Sequence, residues 1–168
     1  MKQVYGSNGE PLEILGEDFL VFGLGGYSYA MDYSLVEEIR HFDPEAIGEV
    51  EDAPAFVRGM GYVSGNQVPL VDLSVKLGLA PVGSTPQAGM IFAMIHARRI
   101  GLVVESIDGV TIQQPDCIDQ APQSDPILPA AVLLGVGRVG GRSVVLVDVT
   151  KLVTRQEAEQ AWLSAAVA

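Results

Sequence analysis

From Phe19 onward the chain alternates short apolar runs with breaks rich in glycine, proline or charge. Phe19-Leu20-Val21-Phe22 predicts a strand, and Gly23-Leu24-Gly25-Gly26 predicts its turn. Tyr27 to Ile39 reads as a second strand, because Tyr29, Met31 and Tyr33 alternate with Ser28, Ala30 and Asp32. His41 to Pro54 is an acidic loop containing Asp43, Glu45, Glu49, Glu51 and Asp52. Phe56 to Val63 and Gln67 to Val71 predict strands around a Ser64-Gly65-Asn66 turn. Asp72 then opens a short helix, Leu73 to Leu79, with Leu73 and Leu77 on one face. Pro81, Gly83, Ser84 and Pro86 make Ala80 to Gly89 a linker, and residues 1–17 read as a flexible polar tail.

After the linker the pattern starts again. Met90-Ile91-Phe92-Ala93 matches Phe19 to Phe22, and Ile100 to Val110 matches Tyr29 to Ile39. Arg58 to Gly65 lies over Leu134 to Gly141, and Val68 to Leu73 over Val144 to Val149, at a constant offset of 76. Three glycines and an aspartate keep that register. The predicted fold is therefore all-β, with two packed five-stranded barrels from halves at about 18–79 and 90–153. A core of that size supplies only about 3–5 kcal/mol alone, so the halves are expected to share an apolar layer. Thr150 to Val167 reads as a terminal helix, its last part (156–168) lying beyond the repeat. Leu152, Val153, Ala161, Trp162 and Ala165 form its buried stripe, with Glu157 and Glu159 exposed.

Charge and composition narrow the classes. Hydrophobic residues are 48% of the 168, and charged ones 18%, which excludes a disordered chain. Twenty-one acids against ten bases leave a net charge of -11, unsuited to phosphate backbones, so nucleic acid is not an expected partner. Residues 1–52 hold 12 acids and two bases, so this third carries nearly all the excess. One cysteine, Cys117, rules out an internal disulfide framework. No apolar leader follows Met1-Lys2, and the uncharged stretch Pro126–Gly137 is shorter than the ~20 residues a span needs. A soluble cytoplasmic protein without membrane insertion is the expectation.

Candidate chemistry is sparse. Gly135-Val-Gly137-Arg-Val-Gly140 fits the dinucleotide glycine pattern, but a strand follows where that pattern needs a helix, so it reads as a turn. Asp72 and Asp148 hold equivalent positions and could be an acid/base pair. Each also stands where a strand gives way to a helix, and they are read as N-caps. His41 and His96 read as exposed turn residues, Cys117 as a bystander thiol, and Arg98-Arg99 as a charged hairpin tip. No catalytic, metal or cofactor set is expected.

The ordered set of motifs resembles the CheW family of chemotaxis coupling proteins. Phe19-Leu-Val-Phe-Gly-Leu-Gly-Gly, Tyr29-Ala-Met-Asp32 and Val36-Glu-Glu-Ile-Arg40 are similar to its opening. Ala53-Pro-Ala-Phe-Val-Arg-Gly59, Val68-Pro-Leu-Val-Asp-Leu73 and Lys76-Leu-Gly-Leu79 are similar to its middle signature. Gly101-Leu-Val-Val-Glu-Ser-Ile107 and Leu146-Val-Asp-Val-Thr-Lys-Leu152 are similar to its second half, so the likeness covers about 18–155. The resemblance implies two SH3-like barrels and a non-enzymatic adaptor, bridging the cytoplasmic tip of chemoreceptors to the regulatory domain of the histidine kinase CheA. It implies a place in receptor arrays at the inner face of the membrane. By resemblance the receptor-facing set is Val36, Glu38, Gly59, Ser64, Gly101 and Val110. The two glycines in it keep the backbone thin. Tyr62-Val-Ser-Gly65 departs from the family's Asn-Leu-Arg-Gly, so Ser64 stands where an arginine is expected and Glu38 is expected to lack that partner. Alternatives are a scaffold for type IV pilus twitching or another non-flagellar output, and a small-molecule sensor using the groove between the barrels.

Overall fold

The structure, a computed structural model, describes Val4–Tyr5, Pro11–Leu12 and residues 18–167. In chain order these form β1 (Val4–Tyr5), β2 (Pro11–Leu12), β3 (Asp18–Leu24), β4 (Tyr27–Asp32), β5 (Val36–His41), β6 (Val57–Val63), β7 (Asn66–Asp72) and α1 (Leu73–Lys76). There follow β8 (Gly89–Ile95), β9 (Arg98–Val104), β10 (Ser106–Ile112), β11 (Leu133–Val139), β12 (Arg142–Val147), α2 (Val149–Leu152) and α3 (Arg155–Val167). The tail reading falls largely outside the described residues, apart from the antiparallel pair β1–β2.

Two five-stranded sheets carry the fold, in the orders β10-β3-β4-β12-β11 and β5-β8-β9-β7-β6. Each draws on both repeats, so the expectation that each contiguous half closes its own barrel is corrected. The other three strands of the sheet holding the hairpin β3–β4 come from the second repeat, and the other three of the sheet holding β8–β9 come from the first. The burial of these hairpins gives the reason. In β3, Phe19 and Val21 face the interior of the first barrel while Leu20, Phe22 and Leu24 face the layer between barrels. In β8, Met90 and Phe92 face the second interior while Ile91, Ala93 and Ile95 meet that same shared layer. A hairpin buried on both faces needs hydrogen-bonding partners on both edges. Each repeat supplies them to the other through a parallel pairing, Ala30 with Leu146 and Leu70 with Gly101.

The crossing from one sheet to the other also breaks the long strand read from Tyr27 to Ile39. Asp32 accepts from the Ser34 N–H at 2.9 Å and caps a turn of 3₁₀ helix at Tyr33–Leu35. The chain re-emerges in β5, on the other sheet. The run read from Ile100 to Val110 is broken at the corresponding place by the single bend residue Glu105, between β9 and β10.

An internal twofold plan is evident in the details. Offsets of 71 and 76 relate the hairpin turns Gly25–Gly26 to His96–Ala97 and Ser64–Gly65 to Gly140–Gly141, all eight residues at positive φ. Such pairs fit two-residue hairpin turns that follow the twist of the strands. The bulges at Val57/Gly59 and Leu133/Gly135 correspond, as do those at Val36/Glu38 and Ile107/Gly109. Both sheets are drawn together edge to edge by equivalent bridges, Gly48 with Met60 and Asp119 with Val136. A Cβ on Gly59 would strike the Gly48 carbonyl, and one on Gly135 would come within 2.8 Å of the Asp119 carbonyl. Gln113 reinforces the second seam, donating to the Arg138 carbonyl at 2.8 Å and accepting from its N–H at 3.2 Å.

The terminal helix is two helices, because Thr154 and Glu157 form a capping box: the Glu157 N–H donates to Thr154 Oγ1 at 3.2 Å, and the Thr154 N–H to Glu157 Oε1 at 2.9 Å. Glu157 is consequently half-buried rather than exposed, and Lys76 pairs with it at 3.0 Å. Leu152, Val153, Ala158 and Ala161 are buried, and the side chain of Ala165 lies outside the described residues. The stretch 80–89 is a strap rather than a free linker, since Val82 and Ala88 are buried in the second barrel.

Candidate functional site

The six receptor-facing candidates divide by depth. Val36 on β5 is half-buried against the shared core, and Glu38 two residues on is half-buried. Val110 on β10 is 49% exposed, and Ser64 lies exposed at the β6–β7 turn with φ of 51°. Gly59 and Gly101 are buried. A Cβ on Gly101 would lie 2.5 Å from Leu70 Cδ2 and 3.0 Å from Phe92 Cε1, so its lack of a side chain lets those two pack in the second barrel. Gly59 serves the seam. A partner can feel either glycine only through the backbone it keeps thin.

Val36, Glu38 and Val110 lie on edge strands related by the internal plan, with Ile39 of β5 corresponding to Val110 of β10, whereas Ser64 lies in the β6–β7 turn. These edges come near each other at the junction. A Cβ on Gly89 would lie 2.7 Å from Cγ1 of Ile107 at the start of β10, and Gly89 pairs with His41 at the end of β5. Both strands carry a bulge, expose apolar residues (Ile39, Val110, Ile112) and leave backbone groups unpaired on one side. That is a surface suited to a protein partner.

With serine at position 64, Glu38 pairs with its own strand neighbour Arg40. Arg40 donates from Nε at 2.9 Å, and its Nη2 lies 2.8 Å from the same Oε1. The pair is solvent-facing and worth no more than about 1 kcal/mol, so a partner's cation can displace it. Glu37 beside it binds Arg99 Nε at 2.6 Å. Arg98 and Arg99 are thus not the hairpin tip, which is His96–Ala97; Arg98 alone stays exposed, and Trp162 Nε1 donates to the Arg99 carbonyl at 3.0 Å.

Neither aspartate is disposed for acid/base work. Asp72 is fully buried, and its Oδ1 accepts from the N–H groups of Ser74 (2.9 Å) and Val75 (3.2 Å) to cap α1. Its Oδ2 accepts from the Val82 N–H at 3.0 Å and from Arg58 Nη1 at 2.6 Å. Arg58 also donates to the Val82 carbonyl at 2.9 Å and stacks 5.1 Å over the Phe42 ring. Asp148 caps α2 through the Thr150 N–H and hydroxyl, without an arginine, because Leu134 stands where Arg58 does in the first repeat.

His96 is not the free turn residue its sequence position suggests. Its Nε2 lies 2.7 Å and 2.8 Å from the carbonyls of Thr150 and Val153 at the end of α2. His41 is exposed, and so is Cys117. Gly135 to Gly140 runs along β11 into its turn, as read. Tyr29, inside the core, donates its hydroxyl to Asp125 at 2.7 Å. Burial first, and the Asp125 carboxylate second, push the phenol above its ordinary pKa. Asp125 also accepts from the N–H groups of Ile127 and Leu128 and so ties down the loop before β11. The sequence reading passed over Arg58, Gln113, Asp125 and the Thr154–Glu157 box. Only the last carries a local signal, Thr-x-x-Glu before a helical run.

No helix among the described residues is long and apolar enough to cross a membrane. A CheW-like domain model matches residues 18–157, taking in both sheets and the seams that close them. The chemotaxis protein CheW of Klebsiella aerogenes is 32% identical over 145 residues, covering 86% of each chain. That of Rhizobium meliloti is 26% identical over 146 residues, covering 87% of this chain and 93% of its own. The crystal structure of the scaffolding protein TtCheW from Thermoanaerobacter tengcongensis superposes with a TM-score of 0.71 at 21% identity, covering 83% of this chain and 94% of that one. Two exchanged five-stranded sheets, an unbroken family match across both and a relative above 30% identity lead to one conclusion: the chain belongs to the CheW-like family of chemotaxis proteins.

Proposed function

We propose that this chain is a non-catalytic adaptor held between the cytoplasmic tip of a chemoreceptor and the regulatory domain of a CheA-type histidine kinase, acting in the cytoplasm at receptor arrays. The supporting observation is the reach of the family match, 18–157, which includes the edge strands β5 and β10, one from each sheet, with their exposed apolar residues. The layer between the barrels is packed with Leu20, Phe22, Ile91, Ile100 and their neighbours, which favours surface docking over a sensor pocket there. The receptor tip lies along Val36, Glu38 and Val110, and Ser64, in the β6–β7 turn, takes the place of an arginine in the family motif. Receptor state then biases kinase activity through differential contacts, each about micromolar in strength. Arrays multiply these by effective concentration.

Val110→Glu, an exposed change, places a charge in the apolar strip. Titration calorimetry with a receptor fragment should show binding at least about tenfold weaker, with binding to the kinase domain retained. Equal loss of both, or of neither, contradicts the assignment of this face to the receptor. Ser64→Arg tests the departure directly: if affinity for both fragments is unchanged, position 64 plays no part in coupling.

A further inference from the structure

The two barrels follow one plan, and they differ at one mouth. In the second barrel Phe92 stands in the interior, and Arg99 Nε meets Glu37 Oε2 at 2.6 Å. The offset of 71 places Val21 opposite Phe92, Ser28 opposite Arg99 and Asp108 opposite Glu37. Glu37 and Asp108 are the extra residues of equivalent bulges, so both are re-aimed by the same backbone device. In the first barrel, then, an isopropyl group replaces a phenyl ring and a serine replaces the arginine that would pair with the bulged acid. Ala30, standing where Gly101 does, takes back a methyl group's worth of room. What remains is a hollow of roughly 100 Å³ walled by Val21, Val139 and Val144 and rimmed by Ser28, Asp108 and Arg142. Among the described residues neither Asp108 nor Arg142 is engaged in an ion pair.

We propose that this hollow binds a free α-amino acid with a short aliphatic side chain. Three valine walls favour an aliphatic group and offer a polar side chain nothing to bond. The volume is well below that of a drug-sized pocket, so the ligand is small. Two unpaired side chains of opposite sign on one rim suit a zwitterion. Arg142 presents a planar fork to the carboxylate, and Asp108 a carboxylate to the ammonium, with the Ser28 hydroxyl beside them. For about eight non-hydrogen atoms at an open mouth, affinity should be roughly millimolar. None of its lining residues belongs to the proposed receptor-facing set, although Asp108 lies two residues from Val110 on β10, and the proposal does not depend on that reading.

The experiment is amide-proton NMR titration of the full chain with L-valine, beside isobutyrate and isobutylamine as singly charged mimics. Saturable shifts confined to β3, β4, β10, β11 and β12 are expected for valine, with both mimics at least about tenfold weaker. Ser28→Arg rebuilds the ion pair of the other barrel with Asp108, and Val21→Leu fills the hollow. Each should weaken valine binding about tenfold or more without lowering the melting temperature. Arg142→Gln, an exposed change, should do the same and stands in if Val21→Leu fails to fold. The absence of saturable shifts at tens of millimolar, shifts that map elsewhere, mimics binding as well as valine, or indifference to Ser28→Arg and Arg142→Gln would each overturn the proposal.

Discussion

Replacing Asp72 by alanine removes the centre of a buried polar knot, and its twin Asp148 provides an internal control. The Asp72 carboxylate holds three backbone N–H groups and the Arg58 guanidinium at 2.6–3.2 Å, with no solvent exposure. Alanine leaves the Ser74, Val75 and Val82 donors without partners and strands the cation of Arg58, whose side chain is only 20% exposed. A buried donor left unsatisfied costs about 1–3 kcal/mol, and breaking a buried ion pair about 3–5 kcal/mol. These costs overlap, because the strap and Arg58 can relax towards water, so the total should be about 4 kcal/mol. Asp148 holds only Thr150 and is half-buried, so Asp148→Ala should cost about 1 kcal/mol, an ordinary capping loss. Urea unfolding followed by tryptophan fluorescence and circular dichroism measures both as midpoint shifts at unchanged slope. In thermal terms the difference is about 8–16 °C against 2–4 °C. Equal midpoint shifts for the two variants would refute the reasoning, because the capping bonds alone would then account for Asp72.

Further outcomes follow from local features. Ala97 sits at φ of 62° in the β8–β9 turn, so Ala97→Gly should raise stability by up to about 1 kcal/mol, read as a higher melting temperature; a fall would show that the turn is not strained. For Glu157, burial alone would raise the carboxyl pKa. The Thr154 backbone N–H and then Lys76 and the Thr154 hydroxyl outweigh burial and hold it below the usual range. A depressed folded pKa gives stability that is complete above the unfolded value near 4.5 and is lost as pH falls through the folded value. Glu157→Gln should therefore flatten stability against pH below about 4.5 while changing nothing in the slope near neutrality. An unchanged acid limb would contradict that linkage.

Much of the fold was legible in the chain because burial writes itself as pattern. Phe19 to Phe22 and Met90 to Ala93 are apolar without alternation, as strands between two cores must be, and the 76-residue register of glycines and aspartates marks hairpins and caps that recur in space. Strand exchange was not legible, because the parallel pairing of Ala30 with Leu146 joins residues over a hundred apart and leaves no local trace. The crossing at Tyr33–Leu35 was missed for a different reason. Tyr29, Met31 and Tyr33 keep a strand's alternation up to the break, and the Asp32 side chain capping Ser34 is a signal easily taken for an outward-facing strand residue. At the candidate surface, residue pattern alone reads Val110 as ordinary strand core, and its exposure on an edge strand depends on the strand order, just as the pairing of Glu38 with Arg40 depends on side-chain geometry two residues apart.

The most direct measurement is size-exclusion chromatography with light scattering on the purified chain, a chemoreceptor cytoplasmic fragment and a CheA regulatory domain, singly, in pairs and together. The account predicts two binary complexes and one ternary complex in which neither partner expels the other. Mutually exclusive binding, or failure to bind either partner at tens of micromolar, would contradict it.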